Sequence, residues 1–112
     1  MTKVEKLRLQ TERNQRKIAK KKAGYFGIWY RKALKFVKKR IKERSKEGIP
    51  SVRIENDHLR SLVSWDIYSS VDVDELMAKI AENLREDGFK VIHHPYEHNL
   101  ISGNIIIDWR EE

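Results

Sequence analysis

Apolar side chains recur with helical spacing between residues 73 and 84: Val73, Leu76, Met77, Ile80, Ala81 and Leu84. A repeat near 3.6 predicts an amphipathic helix with one face turned to a core. Asp72 stands at the N-cap, and Glu75 three residues on completes the pattern of a capping box. Gly88 falls where a left-handed C′ residue belongs, with Leu84 and Phe89 at the C3 and C″ positions of a Schellman stop.

A second apolar stripe lies upstream. Placed at about 100° per residue, Phe26, Trp29, Tyr30, Ala33, Leu34, Phe36, Val37 and Ile41 share one arc of about 160°. Arg31, Lys32, Lys35, Lys38, Lys39, Lys42 and Lys46 fill the other side, which predicts an amphipathic helix over 25–47 that stops at Gly48. Arg40 and Arg44 intrude on the apolar stripe, so its C-terminal end is expected near a rim. Residues 2–22 are rich in helix formers, but their apolar residues are sparse: Val4, Leu7, Leu9 and Ile18. Val4, Leu7 and Ile18 fit a heptad in which Thr11 and Asn14 hold the intervening seam positions. A helix with so little to bury is expected to fray until something packs on it. Gly24 and Gly27 allow a break between the two helices.

Three short runs read as strands. Ser51 to Glu55 alternates after Pro50, which suits an edge. Phe89 to His93 follows the second amphipathic helix and ends before Pro95. Asn104 to Trp109 places Ile105, Ile107 and Trp109 on one face, with Ile106 and Asp108 on the other. Residues 56–71 read as a loop with a short element, and residues 99–104 as a turn. The expected fold class is α+β: two N-terminal helices, then a small strand-helix-strand-strand module with a C-terminal antiparallel hairpin. The strand-helix-strand unit is expected as a right-handed parallel crossover. Residues 49–112 are too few for a comfortable core of their own, so the stripe of 25–47 is expected to cover them. The domain reading is therefore a basic helical arm, 1–24, and one α+β domain, 25–112.

Charge sharpens this picture. Residues 1–48 hold 18 Lys/Arg against 4 Asp/Glu, a net of +14, while residues 49–112 carry a net of −7. A basic arm on a mildly acidic module points to a polyanion, or to an acidic protein surface, as partner. The 112 residues contain no cysteine, which excludes disulfides and Cys-ligated zinc. No apolar run approaches the about 20 residues that span a bilayer, and the first 22 residues hold no signal-peptide core. The expected location is the cytoplasm.

One combination of these features resembles a known group. A helix ending Lys46-Glu47-Gly48, a short alternating strand, a helix ending with Leu84, Gly88, Phe89 and Val91, and a last strand ending Ile107-x-Trp109 are together similar to small proteins encoded by phages of Gram-positive bacteria. The resemblance covers about residues 33–109. It implies an α+β fold and a viral origin, hence a bacterial host cytoplasm or a virion as location, and it carries over no catalytic residue. The basic residues 1–32 and the length of 56–71 depart from that group.

The candidate binding residues are Lys20, Lys21, Lys22, Arg31, Lys32, Lys35, Lys38, Lys39 and Lys42. Cations on one helical face neutralise phosphates and release counterions. No Asn or Gln recurs along that face to read adenine, so little sequence preference is expected. Tyr30 at the edge of the face is a candidate for stacking on a base. Trp29, Phe26 and Phe36 opposite the lysines also match an interfacial amphipathic helix, but an apolar face packed on a sheet leaves none for lipid.

Other clusters carry less. His93 and His94 point to opposite faces of a strand, so a metal site would need His94, Glu97 and His98 drawn together by the turn at Pro95. His58 reads as a loop residue. Asp72, Asp74 and Glu75 are explained by capping and the helix dipole. With no nucleophile–base arrangement and no phosphate loop, no catalytic residue, metal, cofactor or small-molecule substrate is assigned.

The function expected is that of a small non-enzymatic binding protein that grips nucleic acid through its basic helical surface. The alternative is a virion or interaction component whose arm docks on an acidic partner or on another copy of itself, as a homo-oligomer.

Overall fold

The computed structural model describes residues 2–95 and 103–110. Its dominant element is a single helix, α1, spanning Lys3–Lys46. At 1.5 Å per residue its 44 residues make a rod of about 66 Å, close to the longest molecular extent of 68 Å. The expected break at Gly24 and Gly27 does not occur. Neither glycine adopts a positive φ, and a Cβ at either position would meet nothing within 4 Å. Once the downstream half is anchored, extending the helix needs no new nucleus, so each further residue adds a hydrogen bond at low cost. The two N-terminal helices read from sequence are therefore one, and the arm is helical from Lys3 onward.

Both ends of α1 are capped. Thr2 Oγ1 accepts from Glu5 N–H at 3.2 Å. At the other end Gly48 takes φ +78°, its N–H donates to Ser45 O, and Ile49 N–H donates to Arg44 O at 2.9 Å, a Schellman stop.

The remaining elements are β1 (Ser51–Glu55), α2 (Asn56–Arg60), α3 (Trp65–Ser70), α4 (Val73–Glu86), β2 (Lys90–His94) and β3 (Asn104–Asp108). The fold is α+β, with one three-stranded sheet. Its strand order is β1-β3-β2, and both pairings are antiparallel. β1 and β2 run parallel, as the expected crossover requires, but β3 is inserted between them, so the two are not hydrogen-bonded neighbours. Sequence explains the arrangement. β3 is the most apolar strand, with Asn104, Ile105 and Ile107 buried. β1 follows Pro50, and β2 exposes Lys90, Ile92 and His94, so each tolerates an edge. The β2–β3 pairing is that of the expected hairpin; its connection, with Glu97, His98 and most of the expected 99–104 turn, lies outside the described residues.

Residues 56–71 hold two short helices, α2 and α3, where a loop with one element was expected. His58, expected in a loop, lies in α2, and its Nδ1 accepts from Glu55 N–H at 3.2 Å, fixing the strand-to-helix turn. α4 begins as expected at Asp72, but Asp72 Oδ1 accepts from Asp74 N–H at 2.9 Å, one residue short of the Glu75 N–H that a capping box uses. Its end matches expectation: Gly88 at φ +96°, and Phe89 N–H donating to Leu84 O at 3.1 Å.

The core is a sandwich of α1 and α4 against one face of the sheet. The row Val52–Ile107–Val91 and the residues Ile54 and Ile105 meet Leu76, Met77, Ile80, Ala81 and Leu84 of α4 and Trp29, Ala33 and Val37 of α1. Trp29 is fully buried, and its indole Nε1–H donates to Leu59 O at 2.9 Å, tying α1 to α2. Trp29→Ala is expected to cost about 3–5 kcal/mol in a denaturant titration. Trp29→Phe should cost only about 1 kcal/mol, because Leu62 N–H also donates to the Leu59 carbonyl (3.2 Å).

Candidate nucleic-acid interface

Exposure divides α1 in two. Residues 2–24 are exposed throughout, and burial begins at Tyr25. The buried positions Trp29, Ala33 and Val37 fix which side of the rod faces the module. Helical geometry then fixes the outward side. Arg31, Lys32, Lys35, Lys38, Lys39 and Lys42 occupy a sector of about 120° opposite those buried positions, and all six are exposed.

Because α1 does not break, the same sector continues along the arm. Lys20 and Lys21 fall in it, and so do Lys3, Lys6, Arg13 and Lys17, which the candidate list did not include. No carboxylate of α1 lies in this sector: Glu5, Glu12, Glu43 and Glu47 all fall outside it. The result is one basic stripe running the length of the helix, interrupted by Gln10, Asn14, Gly24 and Ile28. The signal for the missed cations was present in their spacing, but it is legible only if the helix is read through Gly24.

Lys22 is the exception among the nine candidates. It sits on the module-facing side, where it lines a groove with Phe26, Val71, Asp72 and Glu75, and a second groove with Tyr25, Asp66 and Ser69. Lys22 therefore faces the module's carboxylates and is not part of the outward stripe.

The stripe is not neutralised from within. Among the described residues none of the nine candidate cations engages in an ion pair. Glu43 pairs with Arg40 at 2.9 Å and Glu47 with Arg44 at 3.5 Å, so α1's own C-terminal carboxylates are held by the two arginines at the rim of the apolar face. Lys21 instead lies over the Tyr25 ring, its Nζ 5.5 Å from the centroid.

Tyr30 is not a stacking platform for a base. It is half-buried, packed against the core, and stacked on Phe26 with ring centroids 6.2 Å apart. Phe26 and Phe36 likewise pack on the core beside buried Trp29, so the apolar face is covered by protein. No helix among the described residues is long and apolar enough to cross a membrane.

The histidines do not converge. His93 lies on the inner face of the sheet opposite Ile105, and His94 on the other face opposite Asn104. No cluster of potential metal ligands occurs among the described residues, which exclude Glu97 and His98. Comparison with protein-family models, curated proteins and solved structures finds no match to this chain.

His93 has a different consequence. Its Nε2 is buried without a hydrogen-bond partner. Burial lowers its pKa from the ordinary 6.5; the Asp74 carboxylate opposes this, while Arg85 and His94 add to it. The unfolded chain thus binds this proton more readily than the folded one, so His93 contributes stability above pH 6.5 that is lost as pH falls through its lowered value. The melting temperature is expected to drop on acidification from pH 7.5 to about 5. His93→Gln should flatten that drop, and an unchanged slope would refute the assignment.

Proposed function

We propose that this protein is a non-enzymatic nucleic-acid-binding protein that grips phosphates with the outward stripe of α1. One observation carries the reading: a basic sector, free of carboxylates and interrupted only by uncharged residues, on a helix whose first half stands clear of the module. Cations recurring every three or four residues from Arg13 to Lys21 and from Arg31 to Lys42 match a polyanion, and each neutralised phosphate releases counterions. The stripe offers mostly lysine point charges, with Arg13 and Arg31 among them and its two amides, Gln10 and Asn14, only in the first half of the arm, which favours binding with little sequence preference. The module acts as the anchor that holds the rod. On this reading the protein works in the cytoplasm of a bacterial host. An origin in a phage of Gram-positive bacteria rests on the resemblance of residues 33–109 alone.

A second reading has its own support. Val4, Leu7 and Ile18 are 56%, 61% and 54% exposed, and they extend along the arm the same side of the helix that the module covers further on. An acidic helix, in a virion or another assembly, would find there an apolar seam beside Arg8 and Lys22. A second arm would not, because those flanking cations would oppose their equals.

The discriminating experiment is fluorescence anisotropy with a labelled duplex over a salt series. If six cations meet phosphates, log Kd should rise with log salt at a slope of about 5. Lys35→Glu/Lys39→Glu should weaken binding to unrelated sequences equally and lower that slope by about 2. Binding that ignores ionic strength, or no binding below 0.1 M salt, would overturn the first reading. Co-purification of an acidic protein instead of nucleic acid would favour the second.

A further inference from the structure

Resting on the nucleic-acid reading, we propose that Trp65 is a stacking platform for unpaired bases, so that the protein prefers single-stranded over double-stranded nucleic acid. Trp65 opens α3 and is 67% exposed, more than any other large apolar side chain among the described residues. It is nonetheless rigidly backed. Its ring lies 5.5 Å from that of Tyr68, and Tyr68 meets the buried Trp29 edge-on at 5.9 Å. The Arg60 guanidinium sits over the Tyr68 ring at 4.8 Å and helps hold that ring in place. A platform braced in this way loses little side-chain freedom when a base stacks on it.

The platform adjoins the basic stripe. Trp65 and Ser69 share one face of α3, one helical turn apart. Ser69 lines the groove of about 340 Å³ whose other wall is Lys21, Lys22 and Tyr25 of α1. Lys21 belongs to the outward stripe. Asp66 also lines this groove, and its carboxylate repels phosphate from the α3 wall. The groove therefore draws a phosphate toward Lys21, while Trp65, one turn before Ser69, stands beyond the α3 wall and offers its face to a base. A duplex cannot satisfy this arrangement, because its bases already stack on one another and present only edges. Single strands offer a π-face at every nucleotide, and stacking on an aromatic side chain tolerates any sequence.

The test uses the full chain and labelled oligothymidine, oligouridine and duplex DNA of about 16 nucleotides. The unaltered protein should bind either single strand more tightly than the duplex. Trp65→Ala should weaken single-strand binding about tenfold and leave duplex binding unchanged. Trp65→Phe should keep most of the affinity. Because Trp65 is largely exposed, the circular dichroism melt of Trp65→Ala should match that of the parent. If the parent shows no preference, or if Trp65→Ala binds single strands normally or loses both ligands equally, the platform is refuted while phosphate binding stands. Failure to bind any of the three probes overturns both readings.

Discussion

The burial of one face of α1 against the sheet and α4 determines most of what else the molecule does. Residues 49–112 supply one sheet face and one amphipathic helix, a small amount of apolar surface for an independent core. Trp29, Ala33 and Val37 add the missing layer, with Phe26, Leu34, Phe36 and Ile41 packed around it. The same contact fixes α1 in rotation. Once Trp29 is pinned by its core contacts and by its bond to Leu59 O, every other residue of the helix has an assigned direction. The basic stripe faces outward because the apolar stripe faces inward. Its continuity over the arm follows from the same fixed phase.

The sequence disclosed the parts of the fold that depend on local rules. The spacing from Val73 to Leu84 gave α4, and the glycines at 48 and 88 gave both Schellman stops, because each rests on hydrogen bonds within one segment. Pairing was less legible. Sequence order favours a crossover between neighbouring strands, while the middle position of a sheet goes to the strand that can bury both neighbours' contacts, and that is β3. The break expected at Gly24 and Gly27 failed for a related reason. Glycine lowers helix propensity by about 1 kcal/mol, which a helix anchored by a packed half can absorb. Eight of the nine candidate cations lie on the outward side of α1; the exception is Lys22, whose side of the helix depends on the phase. The arm cations were missed because a broken helix would have uncoupled them from that phase.

His58 and the 56–71 segment illustrate a different limit. No periodicity marks α2 or α3, since each is little more than one turn. Their positions come from tertiary contacts: Leu59 buried beneath Trp29's hydrogen bond, Tyr68 edge-on to the same indole, and Phe36 near the His58 ring. Such contacts link residues about 30 apart and leave no local trace in the chain. The exposed face of this segment, with Trp65 and Arg60, is thus a consequence of packing rather than of pattern.

Opposite net charges in the two halves raise the question of why the chain does not simply fold back on itself. A flexible basic arm would be drawn onto Asp72, Asp74, Glu75 and the other carboxylates of the module, and much of its positive surface would be covered. Helical stiffness prevents this. A continuous ladder of i to i−4 hydrogen bonds keeps residues 3–24 in line with the anchored half, and bending the rod would break several of them at once. Among the described residues Lys21 and Lys22, at the point of departure, face the module's acids across a groove. Self-neutralisation is therefore limited to the junction, and the cations beyond it stay exposed to solvent.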